Sequence, residues 1–97
     1  MTRSLRWTEQ ATSQLAAIAE YIAVSSPVYA EQVVDRLVRR LGQARRFPES
    51  GRMVPEFQHA DVRELVERPY RLIYRVRSDA IEVLSIVHGR RLLEDEP

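Results

Sequence analysis

Several kinds of residue are missing or scarce in this 97-residue chain, and each absence excludes a class of chemistry. There is no cysteine, which excludes disulfides, thiolate nucleophiles and cysteine metal sites. All fifteen basic residues are arginine, so no lysine can serve as general base or Schiff-base former. No apolar run approaches the roughly 20 residues that a membrane helix needs. We therefore expect one soluble, cytoplasmic domain over residues 1–97, with no membrane contact, no cofactor and no metal.

The charges nearly cancel in sum but are unevenly distributed. The formal net charge is +1, yet residues 33–54 contain six arginines and only two acidic residues. Five of these arginines fall within residues 36–46, inside a predicted amphipathic helix. One interpretation is a solvated helix face, and the other is contact with a phosphate backbone.

The spacing of apolar residues predicts an α+β domain. Residues 4–7 alternate as a short strand, and one helix follows from a Thr8 cap to about Val24. A second helix starts at the Ser26 cap and ends by Phe47, since proline follows. From residue 61 the period changes to two, which predicts strands over residues 62–67, 70–77 and 81–88. The predicted architecture is an N-terminal strand and an antiparallel helical hairpin packed on a C-terminal three-stranded antiparallel meander.

Alternation along the last two strands predicts a sheet with two different faces. One face is fully apolar and should pack against the helices. The other face is predicted to be uncovered and to mix charged with aliphatic residues: Arg71, Ile73, Arg75, Arg77, Glu82, Leu84, Ile86 and His88. It is either a solvated face, in part covered by the C-terminal tail, or a groove for an anionic or acidic–apolar partner.

A set of short motifs, in their order and spacing, extends over nearly the whole chain. They are Trp7-Thr8, Tyr21-Ile22, Ser26-Pro27, the Pro48 to Arg52 turn, Val62-Arg63-Glu64-Leu65, Pro69-Tyr70-Arg71-Leu72-Ile73-Tyr74-Arg75-Val76 and Ile86-Val87-His88-Gly89-Arg90-Arg91. Together they resemble the toxins of the RelE/ParE superfamily of bacterial type II toxin–antitoxin modules. The resemblance implies the same α+β fold, growth inhibition, plasmid stabilisation and a hetero-oligomer with a cognate antitoxin.

The resemblance implies one of two activities. RelE-like toxins are ribosome-dependent mRNA endonucleases, and their pattern places Arg71 and Arg91 as electrostatic stabilisers and His88 as a candidate base. ParE-like toxins inhibit DNA gyrase and block replication, with Arg71, Arg75, Arg90 and Arg91 as the target-binding residues. A family member that only forms a complex, without activity, is a further alternative.

Departures from the RelE pattern favour the ParE-like branch. Two lysine positions of that pattern fall on Val62 and Glu64, and the terminal tyrosine falls near Pro97. A carboxylate at position 64 would repel a scissile phosphate and oppose transition-state stabilisation. We therefore predict a ParE-like gyrase inhibitor. Its antitoxin-binding residues are predicted to be Ile73, Arg75, Leu84 and Ile86.

Overall fold

The chain folds into two helices packed against one face of a five-stranded sheet, in a computed structural model that describes residues 2–89. The elements are β1 (Ser4–Trp7), α1 (Glu9–Ala23), α2 (Pro27–Arg46), β2 (Arg52–Met53), β3 (Val62–Glu67), β4 (Tyr70–Val76) and β5 (Ala80–His88). A short 3-10 turn, Pro48–Ser50, joins α2 to β2. The predicted α+β class, helical hairpin and meander are confirmed.

Both helices begin at the caps that the sequence predicts. The Thr8 hydroxyl accepts a hydrogen bond from the Ala11 amide at 3.1 Å, and the Ser26 hydroxyl accepts one from the Tyr29 amide at 3.1 Å. Each cap satisfies a first-turn donor that has no partner within the helix. Within residues 2–89, neither helix has the length and apolar composition required to cross a bilayer.

The sheet is mixed, in the order β1-β5-β4-β3-β2. Strands β3, β4 and β5 pair antiparallel as the predicted meander, and β1 pairs parallel with β5 at one edge. The two-residue strand β2, which the sequence did not predict, pairs with β3 at the other edge. The sheet therefore has five strands where the sequence indicated four.

The main core lies between the helices and the sheet. Helix α2 contributes a fully buried stripe, and strands β3 to β5 contribute the facing residues. Leu72 and Tyr74 of β4 are fully buried in this cluster, with Tyr70 and Val76 packed at its margin. The predicted orientation of β4 is thus confirmed on this face.

Substituting Gly42 by alanine is expected to stabilise the protein. Gly42 lies inside α2, and a Cβ built there meets no atom within 4 Å. Alanine lowers the conformational entropy of the unfolded chain and favours helix, which is worth about 0.5–1 kcal/mol. Urea unfolding of the two proteins measures this difference, and an unchanged or lower midpoint would contradict it.

Candidate functional site

The centre of the sheet face opposite the helices is covered by a strap, which we define as residues 54–61. Val54 anchors the strap, because its amide donates to the Val62 carbonyl at 3.3 Å and its carbonyl accepts from Gln58 at 3.0 Å. Val54, Val62 and Ile73 are buried together in a second apolar cluster, with Phe57 and Leu84 packed against it. The predicted open groove is therefore filled at its centre by the chain's own strap.

Beside this cluster lies a buried ionic network centred on Arg71. The Arg71 Nε atom donates to Glu64 Oε2 at 2.6 Å. Its Nη1 and Nη2 atoms donate to the two carboxylate oxygens of Glu56, each at 2.8 Å. The second oxygen of Glu64 accepts from Arg52 Nε at 2.7 Å. Two carboxylates and two guanidinium groups thus form one connected and charge-balanced array.

The network is held by two different parts of the chain. Arg71 and Glu64 come from neighbouring strands, where Glu64 lies opposite Ile73 and Arg71 lies opposite Val66. Glu56 comes from the strap. The bidentate Glu56 carboxylate is the largest cause raising the pKa of Arg71; burial opposes that rise, and the bond to Glu64 adds to it. Arg71 is therefore a permanent cation whose charge is already compensated.

A β-bulge changes the predicted orientation of the end of β5. Ile73 lies opposite Ser85, whereas the next residue, Tyr74, lies opposite Val83. Leu84 is thus the additional residue of a bulge, and alternation is inverted beyond it.

The predicted positions of Ile86 and His88 on the uncovered face are consequently wrong. Ile86 lies opposite Leu72 and is buried in the main core. His88 lies opposite Tyr70, and the two rings meet edge to face with centroids 6.4 Å apart. Both side chains therefore point to the helical side of the sheet.

The other predicted site residues are brought together only in part. Arg71 and Ile73 lie on the predicted face, but both are buried and not open to a partner. Arg75 and Leu84 keep partial exposure there, and the Arg75 Nε atom lies 3.5 Å from a carboxylate oxygen of Asp61 at the end of the strap. Arg90 and Arg91 lie outside the described residues.

The sequence predicts that the Glu64 carboxylate repels a phosphate, but it does not predict that Glu64 pairs with Arg71. The signal was present, since two residues diagonal across adjacent antiparallel strands are within reach of long side chains. Glu56 gave no such signal, because it lies in a loop whose docking depends on long-range packing. In this arrangement an anion reaches Arg71 only by displacing a carboxylate that already binds it twice.

The family model of the ParE toxin of the type II toxin–antitoxin system parDE matches residues 5–93. The chain belongs to the ParE toxin family. This ParE-family chain is a type II toxin of the RelE/ParE superfamily, as its motifs predict.

Individual relatives of the ParE-family chain carry both superfamily names. Toxin RelE2 of Caulobacter vibrioides is 34% identical over 87 residues, which are 89% of this chain and 94% of that toxin. The solved chromosomal ParDE system of P. aeruginosa is 29% identical with a TM-score of 0.73, covering 90% of this chain and 96% of that one. The RelBE2 toxin–antitoxin complex of Mycobacterium tuberculosis shares the fold, with a TM-score of 0.67 at 20% identity over 91% of this chain and 99% of that one.

Proposed function

We propose that this toxin acts on DNA gyrase and blocks replication, and that a cognate antitoxin neutralises it. The observation that carries the proposal is the engagement of Arg71 by Glu56 and Glu64. A RelE-like ribonuclease needs the arginine at this position to stabilise the charge that develops on a phosphate. Here two carboxylates hold that guanidinium and surround it with negative charge.

The position of His88 supports the same choice of branch. A general base must lie within hydrogen-bonding reach of the proton that it removes. His88 faces the helical side and packs against Tyr70, whereas Arg71 faces the strap. A single phosphate could not contact both side chains across the sheet. The RelE2 name of the Caulobacter relative keeps the ribonuclease as the second candidate.

The antitoxin is proposed from the solved relatives, both of which are toxin–antitoxin systems. Of the four predicted antitoxin-binding residues, Arg75 and Leu84 are the ones with partial exposure. They mark the border of the strap, so we place the antitoxin contact at that border and not in a central groove. Arg75 is also the described target-binding candidate that retains access to solvent.

The proposal predicts inhibition of purified gyrase by the purified toxin. Supercoiling of a relaxed plasmid should fall as toxin is added, and prior mixing with the cognate antitoxin should restore it. The parallel assay uses translating ribosomes with a defined mRNA, on which no codon-specific cuts are expected.

Each assay can contradict the proposal. Unchanged supercoiling and DNA cleavage at high toxin excess would exclude gyrase as the target. Codon-specific mRNA cuts by the purified parent toxin on translating ribosomes would establish the ribonuclease instead. Unimpaired growth on expression without antitoxin, together with no effect in either assay, would indicate a member that only forms complexes.

A further inference from the structure

A line of arginines follows one side of α2, away from the strap face. We define the arginine stripe as Arg36, Arg39, Arg40 and Arg46. Arg39, Arg40 and Arg46 follow Arg36 by three, four and ten residues, spacings that keep all four on one side of the helix. This side is adjacent to the buried apolar face of α2. At 1.5 Å per residue the stripe is about 15 Å long. Arg39 and Arg46 are exposed, and Arg36 and Arg40 are half-buried.

The end of β3 extends the basic surface. Arg36 Nη2 donates to the Arg68 carbonyl at 3.3 Å, which places the exposed Arg68 beside the stripe. Among residues 2–89, Glu67 is the carboxylate that forms ion pairs with the stripe. Its two oxygens lie 3.4 Å from Arg36 Nε and 3.5 Å from Arg40 Nε. The stripe thus has one ion-paired carboxylate in the described part of the chain, and Asp35 lies at its edge, four residues before Arg39. Two acidic residues against five arginines still leave a positive excess.

The composition of the stripe favours a phosphate backbone over a protein surface. Between its arginines on the same side of the helix lies the polar Gln43, which accepts from Arg40 at 2.6 Å. No apolar side chain lies between these arginines on that side, and the exposed Tyr29 and Phe47 lie only beyond the two ends of the series. The centre of the surface is therefore charged, unlike the apolar centre of a typical protein interface. Phosphates of one DNA strand advance 3.4 Å along the duplex axis, so a stripe of about 15 Å spans about four of them.

We propose that the arginine stripe and Arg68 bind the phosphate backbone of double-stranded DNA. The inference rests on the proposed function in one respect, because gyrase acts on duplex DNA and a toxin bound to it lies beside such a backbone. Contacts to phosphate oxygens position a protein on the duplex and carry no base readout, so the contact is expected to be independent of sequence. Its role is to hold the toxin on the DNA-bound form of its target.

The test measures binding of the full chain to a fluorescent 20-base-pair duplex at several salt concentrations, without gyrase. The stripe variant carries Arg39→Gln, Arg46→Gln and Arg68→Gln, three exposed side chains that bond to no other group within residues 2–89. Its affinity at 50 mM salt should fall about 10- to 100-fold, and the slope of log affinity against log salt should flatten by about 2.7. The charge-matched control carries Arg6→Gln, Arg45→Gln and Arg77→Gln, three exposed arginines outside the stripe that bond to Asp79, the Arg3 carbonyl and Glu82. Its affinity should stay within about threefold of the parent.

A selective loss in the stripe variant supports the inference. Equal losses of duplex affinity in the two variants would show that binding depends only on net charge, which would overturn the inference. Parent protein that binds an acidic peptide or a single-stranded RNA more tightly than the duplex would overturn it as well. Because no gyrase is present, failure of this assay is distinguishable from failure of the supercoiling assay.

Discussion

Replacing Arg71 by alanine is expected to lower the free energy of unfolding by about 3–5 kcal/mol, because it removes the buried guanidinium that compensates two carboxylates. The Glu64 side chain has no exposed surface, and Arg71 supplies one of its two cationic contacts. The same substitution leaves Glu56 without the guanidinium that holds the strap on the sheet. Urea unfolding at neutral pH measures the loss.

Two further variants separate the buried network from ordinary surface charge. Arg6 pairs with Asp79 at 2.9 Å, but both side chains are mostly exposed. Arg6→Ala should therefore cost less than about 1 kcal/mol. Combining Arg71→Met with Glu64→Leu and Glu56→Gln should recover much of the stability, because the buried guanidinium and both carboxylates that it binds are then removed together. An Arg71→Ala loss as small as that of Arg6→Ala would contradict the network.

The elements of the fold could be predicted because their signals are local. The Thr8 and Ser26 caps, the proline at position 48 and the change of period near residue 61 each act within a few residues. The structure places β1 and β3 at their predicted bounds, and α1, α2, β4 and β5 end within one residue of theirs. Strand β2 gave no comparable signal, because a two-residue strand forms only where tertiary packing brings it beside β3.

The candidate site could be predicted only in part, because its form depends on contacts between distant segments. Alternation correctly assigned Arg71 and Ile73 to the face opposite the helices. It could not show that the strap, which has no regular period, buries both of them. Nor does alternation reveal a bulge: one additional residue at Leu84 reversed the orientation of Ile86 and His88. Register and loop docking therefore decided which predicted residues reach solvent.

Gly51→Ala is expected to destabilise the protein by about 1–3 kcal/mol or more, because the site has no room for a methyl group. A Cβ at this position would lie 2.6 Å from the Glu64 carbonyl oxygen and 2.6 Å from the Tyr74 hydroxyl oxygen. Tyr74 cannot yield cheaply, since its ring is fully buried. Its hydroxyl accepts from the Gly51 amide at 3.0 Å and donates to the Pro48 carbonyl at 2.6 Å. Burial also raises the pKa of Tyr74, so the hydroxyl keeps the proton that it donates.

The φ of −81° at Gly51 is open to any residue, so the expected loss comes from the close contact and not from backbone strain. Gly42→Ala is the matched control, because the same methyl group meets no atom within 4 Å there. The two variants should shift the urea midpoint in opposite directions. Since the Gly51 contact joins the turn after α2 to strands β3 and β4, its loss should also speed proteolysis of residues 48–61. Equal midpoints for the two alanine variants would contradict the close contact at Gly51.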